Sequence, residues 1–441
     1  MKYHSIIIVL LLSYISHQAL SQEKVREKMK DGWSFGFFPS FGYDSNTGTK
    51  YGGILKLFDY GDGSAYPRYN QAFNLELSRT TKGQGVNQLT YDSRTLIRGY
   101  RVMGEVSYLT EKTLDFYGFN GYNAFYSSAY TSKSNPLYVT PLFYKMEREL
   151  LKLRAEIIGK LYGDNFKWFG GIEYMNNNLD TVDVNNINRG KDEGSRLPYS
   201  GGGLYGRFVK WGLIAPDQAD GGQATLLKAG VKYDTRDNEA NPMKGLWTDI
   251  QIMVSPGFLS DGYTYARMAF SHRQYFTIIP KRMNFCYRVS YQSRLGGDIP
   301  FYMLPLVYNS APQLTLSGLG GSRTIRGILR NRVVGDDFVY GNAELRLKVA
   351  RTVLFNQNLY LALSAYADAG MITGKYRLPE ITDPEGIAWL AKGEKEEMHT
   401  SYGWGIHGAL NENFIVSLNY AWAMDPRDGV KGTYLQMSFN F

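Results

Sequence analysis

The chain carries one cysteine, Cys286, so no disulfide can form within it. A lone thiol becomes a nucleophile only beside an ordered base, and Cys286 reads instead as a strand residue. Histidine is equally scarce. Of the five in the sequence, His4 and His17 fall in the N-terminal leader, leaving His272, His399 and His407. No His-Glu-x-x-His and no Gly-x-Ser-x-Gly occurs, which removes the commonest zinc and serine hydrolase readings. Beyond the leader no apolar run reaches 18 residues, so a membrane-resident form of this chain would have to cross as strands. The expectation is a protein that is not an enzyme and takes no cofactor and no metal.

What is abundant fits that picture. Aromatics make up 15% of the chain, with 35 Tyr and 48 Gly, a mixture suited to many short strands, tight turns and aromatic belts. The formal net charge is +8, and Lys2 leaving with the leader makes it +7. The basic residues are dispersed, so nucleic-acid binding is not expected. A polar barrel interior facing anionic lipopolysaccharide can use them.

The first 21 residues read as a signal peptide. Ile6 to Ile15 is an apolar run of h-region size, and Ala19-Leu20-Ser21 supplies a small-residue cleavage site before Gln22. No cysteine follows, so this is not a lipoprotein signal. Residues 22–32 are then a short periplasmic segment, and 33–441 a single barrel.

The C-terminus shows the strand pattern most clearly. Thr433, Leu435, Met437, Phe439 and Phe441 alternate with Tyr434, Gln436, Ser438 and Asn440. An exposed aromatic strand at a chain end is a liability unless it pairs with another edge, as the last strand of a closed barrel does with the first. The terminal Phe439 and Phe441 also resemble the assembly signal of outer-membrane barrels.

Phe414–Trp422 repeats the pattern. Earlier candidates are Trp33–Tyr43, Tyr51–Phe58, Ala72–Thr80, Gln88–Leu96, Arg101–Thr110, Phe143–Ile158, Phe166–Asn176, Thr225–Asp234, Leu246–Val254, Thr264–Ile279, Met283–Arg294, Phe338–Val349, Leu359–Asp368 and Ser401–Leu410. In Phe143–Ile158, Met146, Leu150, Leu153 and Ile157 also fit a helical stripe; the strand reading is kept. The total is about sixteen, an even number suited to a closed antiparallel transmembrane β-barrel. The long connections follow strands five, seven, eleven and thirteen, all odd, so with both termini in the periplasm all four lie outside.

The connection after strand eleven holds a glycine-rich segment, Gly318 to Gly327. It lacks the Gly-Lys-Ser/Thr ending and the following helix of a phosphate cradle. A better reading pairs it with acids on the next strands. Asn342, Glu344, Arg346 and Lys348 share one face of strand twelve; Tyr360, Ser364, Tyr366 and Asp368 share one face of strand thirteen. In a barrel the polar face is the lumen, so Glu344 and Asp368 point inward. Two such carboxylates need a cation, and Arg326 supplies one if its loop folds into the lumen. A salt-bridge cluster that locks the loop is the expected role. A catalytic carboxylate pair is disfavoured by the arginine between the acids.

Four motifs carry a family resemblance. Gly320-Gly321 through Ile325-Arg326-Gly327-Ile328 is one, and Gly341-Asn342-Ala343-Glu344-Leu345-Arg346 the second. Tyr366-Ala367-Asp368-Ala369-Gly370 is the third, and Asp234-Thr235-Arg236-Asp237 with Pro242 and Gly245 the fourth. Together they resemble the bacterial surface antigen family, the BamA/TamA superfamily of outer-membrane assembly and translocation barrels. Ile328 departs from the family's aromatic at the loop tip. The resemblance covers Lys228 to Phe441; the first half matches in strand rhythm. No POTRA domain and no fused lipase is expected in this chain.

The resemblance implies an outer-membrane barrel with a lumen-folded sixth extracellular loop, assisting insertion or translocation of protein or lipid. The alternative is a passive pore or a structural surface antigen. A weak seam between the first and last strands is expected from Gly36, Pro39 and Gly42, since proline cannot donate a ladder bond and glycine weakens a strand. Expected partners are outer-membrane lipid, lipopolysaccharide and a separate periplasmic protein in place of the POTRA domains.

Overall fold

The structure, a computed structural model, describes residues 31–64, 69–199, 201–239, 241–309, 315–354, 357–410, 414–436 and 439. The proposed leader, most of the segment 22–32 and Phe441 lie outside the described residues.

Sixteen antiparallel strands close into one barrel. The first eight are β1 (Trp33–Asp44), β2 (Gly48–Asp59), β3 (Gln71–Thr80), β4 (Gln84–Ser93), β5 (Arg101–Asp115), β6 (Lys145–Tyr162), β7 (Phe166–Thr181) and β8 (Gly221–Asp234). Then come β9 (Gly245–Ser255), β10 (Tyr265–Ile279), β11 (Met283–Gly297), β12 (Asp337–Leu354), β13 (Gln357–Gly374), β14 (His399–Leu410), β15 (Phe414–Ala423) and β16 (Lys431–Gln436). Each strand pairs with its sequence neighbours, and β1 returns to β16, so no edge is left open. Among the described residues no helix is long and apolar enough to cross a membrane.

Alternation dictates the faces. On β12, Asn342, Glu344 and Arg346 are buried inward, while Leu345 and Leu347 are exposed outward. On β14 and β15 the outward Tyr402, Trp404, Tyr420 and Trp422 stack into an aromatic girdle, with Tyr402 and Trp422 ring centroids 5.4 Å apart. β1 carries Trp33, Phe35 and Phe37 on its outward face, all well exposed.

The long connections 116–144, 182–220, 298–336 and 375–398 all follow odd-numbered strands and gather at one end of the barrel. Among the described residues they contain three short α-helices, α1 (Val184–Asn188), α2 (Gly203–Lys210) and α3 (Pro384–Leu390), besides single turns of 3-10 helix. Phe116, Phe119, Phe143, Phe208, Trp211, Phe301 and Trp389 from these connections form one apolar cluster, into which Leu150, Met175 and Met253 project from the wall. Burial of this apolar surface packs the connections over the mouth.

The cluster explains the helical stripe read in Phe143–Ile158. Met146 and Leu150 point inward against the connections and are buried, whereas Leu153 points outward and is exposed. Apolar residues on both faces of one strand imitate a helical period; the segment is strand β6 from Lys145 onward, and Phe143 belongs to the preceding connection.

At the C-terminus, β16 is described to Gln436. Leu435 pairs with Tyr43 on the outward side, but Phe439 is buried among the inward residues Tyr360, Ala362, Ala409 and Ile415. Simple alternation to the chain end therefore does not hold at Phe439. Its ring lies 4.8 Å from that of His407 and under the Arg346 guanidinium at 4.0 Å, contacts an outward position would lack.

Candidate functional site

The site begins with a tight turn. The Gly320 N–H donates to Thr324 Oγ1 at 2.9 Å, and the Gly321 N–H donates to the Ile328 carbonyl at 2.9 Å. These bonds fold 320–328 into a compact tip with Ile325 and Ile328 fully buried. Ile325 needs Gly370 opposite it: a Cβ there would sit 2.7 Å from Ile325 Cδ1. Gly327 has φ +89°, and a Cβ on it would come within 3.0 Å of Ala421.

From this tip Arg326 reaches both expected carboxylates. Its Nε and Nη2 donate to Asp368 at 2.8 and 2.9 Å, a two-pronged contact. Its Nη1 donates to Glu344 Oε2 at 2.9 Å, and its backbone N–H donates to Asp368 at 3.0 Å. The guanidinium also lies on the Tyr366 ring, 3.3 Å from its centroid. Arg326, Glu344 and Asp368 are at most 2% exposed. A second cation completes the knot: Arg346 Nε donates to Glu344 Oε1 at 2.8 Å. Two arginines and two carboxylates then balance, which buried charges require.

Neighbouring strands hold the loop backbone. Arg288 donates to the Arg323 carbonyl at 2.9 Å, and Asn342 Nδ2 to the Thr324 carbonyl at 2.7 Å. On the far side the Gly327 N–H donates to the Tyr434 hydroxyl of β16 at 3.0 Å. Sequence reasoning placed Asn342 and Arg346 on the inward face and Tyr434 opposite Leu435 but gave none of them a partner, and it did not single out Arg288. The signal for Tyr434 was its alternation with Leu435.

A second anchorage was not anticipated. Arg330 ion-pairs with Glu111 on β5, and Arg148 on β6 pairs with the same carboxylate. Asn331 Nδ2 donates to the Asp115 carbonyl at 2.6 Å, and Arg148 Nη1 to the Leu316 carbonyl at 2.9 Å. The connection between β11 and β12 is thus held at β12–β13 and β16 on one side and at β5–β6 on the other.

Above it, Arg332 donates to the carbonyls of Gly121 and Arg427, both at 2.9 Å. Asp428 accepts from the Tyr122 hydroxyl at 2.7 Å and contacts His399 Nδ1 at 2.7 Å. Burial, reinforced by that Asp428 contact, pushes the Tyr122 hydroxyl well above its ordinary pKa.

The Asp234-Arg236 turn lies elsewhere, between β8 and β9. Arg236 Nε and Nη2 donate to Asp234 at 2.9 and 2.8 Å, and Asp237 Oδ1 accepts from the Met243 N–H at 2.9 Å. Its ion pair closes within the turn, with the guanidinium 4.1 Å from the Trp247 ring. Of the other chemistry-bearing residues, His407 has a serine hydroxyl on each ring nitrogen, Ser364 and Ser417, both at 2.8 Å. Cys286 is buried. Among the described residues no group of His, Cys, Asp and Glu could hold a metal ion.

Around Arg326 the segment 320–328 is bonded to inward-facing side chains of β11, β12, β13 and β16. Comparison with known proteins agrees with the geometry. A family model described as the Omp85 superfamily domain matches residues 37–441. No curated protein matches the chain. Among solved structures, BamA from Haemophilus ducreyi lacking POTRA domains 1–3 aligns with TM-score 0.53 at 15% identity, over 98% of this chain and 78% of that one. CdiB from Escherichia coli aligns with TM-score 0.54 at 11% identity, over 93% of this chain and 63% of that one. At such identities the likeness is one of fold. The family match spans nearly the whole chain: this protein belongs to the Omp85 superfamily and is a β-barrel of the Gram-negative outer membrane.

Proposed function

We propose that this barrel assists the insertion or translocation of protein or lipid at the outer membrane, by transient opening between β1 and β16. The observation that carries the reading is where the pinned loop ends. Gly327 bonds to Tyr434 on β16, and Tyr434 is the register partner of Asp44 on β1. The loop tip therefore sits directly behind the seam. Among the described residues β1 meets β16 at Tyr43–Leu435 and Asp44–Tyr434. Pro39, within β1, brings no ladder donor.

In this reading Arg326 and its acids hold the closed shape, and β1 supplies an exposed aromatic face to lipid and client strands. A separate periplasmic protein would deliver the client.

Locking the seam tests this. The pair Tyr43→Cys with Leu435→Cys should form a disulfide under oxidation. The locked barrel should then fail to restore outer-membrane protein and lipid content in a deletion strain, and reductant should recover it. Full function of the locked form would refute seam opening. Steady large conductance in planar bilayers, with unchanged membrane content on deletion, would favour a passive pore instead.

A further inference from the structure

At the outer end of the barrel a cleft of about 380 Å³ opens between three connections. Tyr130 comes from the connection after β5, Arg207, Lys210 and Trp211 from that after β7, and Glu385, Trp389 and Lys392 from that after β13. The volume falls in the range of small-ligand sites. Three cations face one carboxylate, a balance of +2.

What distinguishes these cations is how they are held. The Arg207 guanidinium lies 5.2 Å from the Phe143 ring centroid. The Lys392 ammonium lies 5.4 Å from Phe125 and 5.2 Å from Trp389, with the Tyr130 hydroxyl at 3.5 Å. Among the described residues neither has a carboxylate partner; only Lys210 does, with Glu385 at 3.5 Å. An aromatic face positions a cation without cancelling its charge. The N–H donors of Arg207 and Lys392 are thus fixed in place and remain available to an anion. The Trp389 indole N–H is buried without a partner, another donor in the cleft wall.

Aromatic walls with a polar edge suit the faces and hydroxyls of a sugar, and the uncompensated charge suits a phosphate. We propose that this cleft binds a phosphorylated saccharide, the lipopolysaccharide core of the surrounding outer leaflet. Arg207 and Lys392 take the phosphate, and Glu385 accepts sugar hydroxyls beside Lys210. The assignment is independent of seam opening.

The test is calorimetry on the full-length barrel in detergent, with core oligosaccharide released from rough lipopolysaccharide as the probe. The double variant Arg207→Ala with Lys392→Ala should weaken binding by about tenfold or more, the scale of a lost charge-assisted hydrogen bond. Dephosphorylated oligosaccharide should show the same loss on the parent protein. Inorganic phosphate alone should bind more weakly than the oligosaccharide. Glu385→Gln keeps an acceptor oxygen for the sugar and removes the charge that repels the phosphate, so it should tighten binding several-fold, a direction that misfolding cannot produce. Unchanged affinity in either variant, equal binding of the dephosphorylated sugar, or inorganic phosphate matching the oligosaccharide would overturn the proposal.

Discussion

The β11–β12 connection is fastened at two walls by opposite charge arrangements. At β12–β13 one loop cation, Arg326, sits between two carboxylates, Glu344 and Asp368. At β5–β6 one wall carboxylate, Glu111, sits between two cations, Arg330 and Arg148. The difference lies in what each loop arginine leaves behind when it is lost. Without Arg326, Asp368 loses its paired cation and Arg346 remains for Glu344 alone. Without Arg330, Glu111 and Arg148 still form a neutral buried pair. Loss of the first arginine is therefore expected to cost more than loss of the second, although both look like ion pairs.

Three substitutions grade that contrast. Arg326→Ala should cost most, about 3–5 kcal/mol, because it strands a buried charge. Urea unfolding in lipid vesicles would read this, and protease should cut near Ser322 in intact cells. Unchanged protection would mean that the knot does not hold the loop. Arg330→Ala should cost about 2 kcal/mol, the scale of one hydrogen bond to a charged group. A cost equal to that of Arg326→Ala would erase the distinction between the two walls. Tyr434→Phe should cost least, about 1 kcal/mol, by removing the hydroxyl that accepts from Gly327. No measurable change would show that the Tyr434 hydroxyl adds nothing to the hold of the other bonds on the tip.

The sequence exposed the barrel because each strand has one face toward lipid and one toward a polar interior, a contrast that survives without any long-range information. It obscured β6 where the loop cluster made the interior apolar as well. The Arg326 knot was legible because Glu344 and Asp368 lie on adjacent strands in the same parity, 18 and 42 residues from Arg326. The Glu111–Arg330 contact spans 219 residues, and Glu111 sits past the end of the strand read as Arg101–Thr110. No local pattern marks such a pair. The cleft at the outer end was invisible for the same reason, since each of its three connections contributes only part of the wall.

The two fastenings are also close along the chain. Residues 326 to 330 span at most about 14 Å even when fully extended. That short stretch links the side chains bonded at β12–β13 to those bonded at β5–β6. Under the proposed seam opening, a widening at this level would have to release one end, and the Glu111 side is the one that keeps a paired cation, Arg148, when it lets go. In that proposal the far wall releases first, while Gly327 keeps its bond to Tyr434 beside the seam.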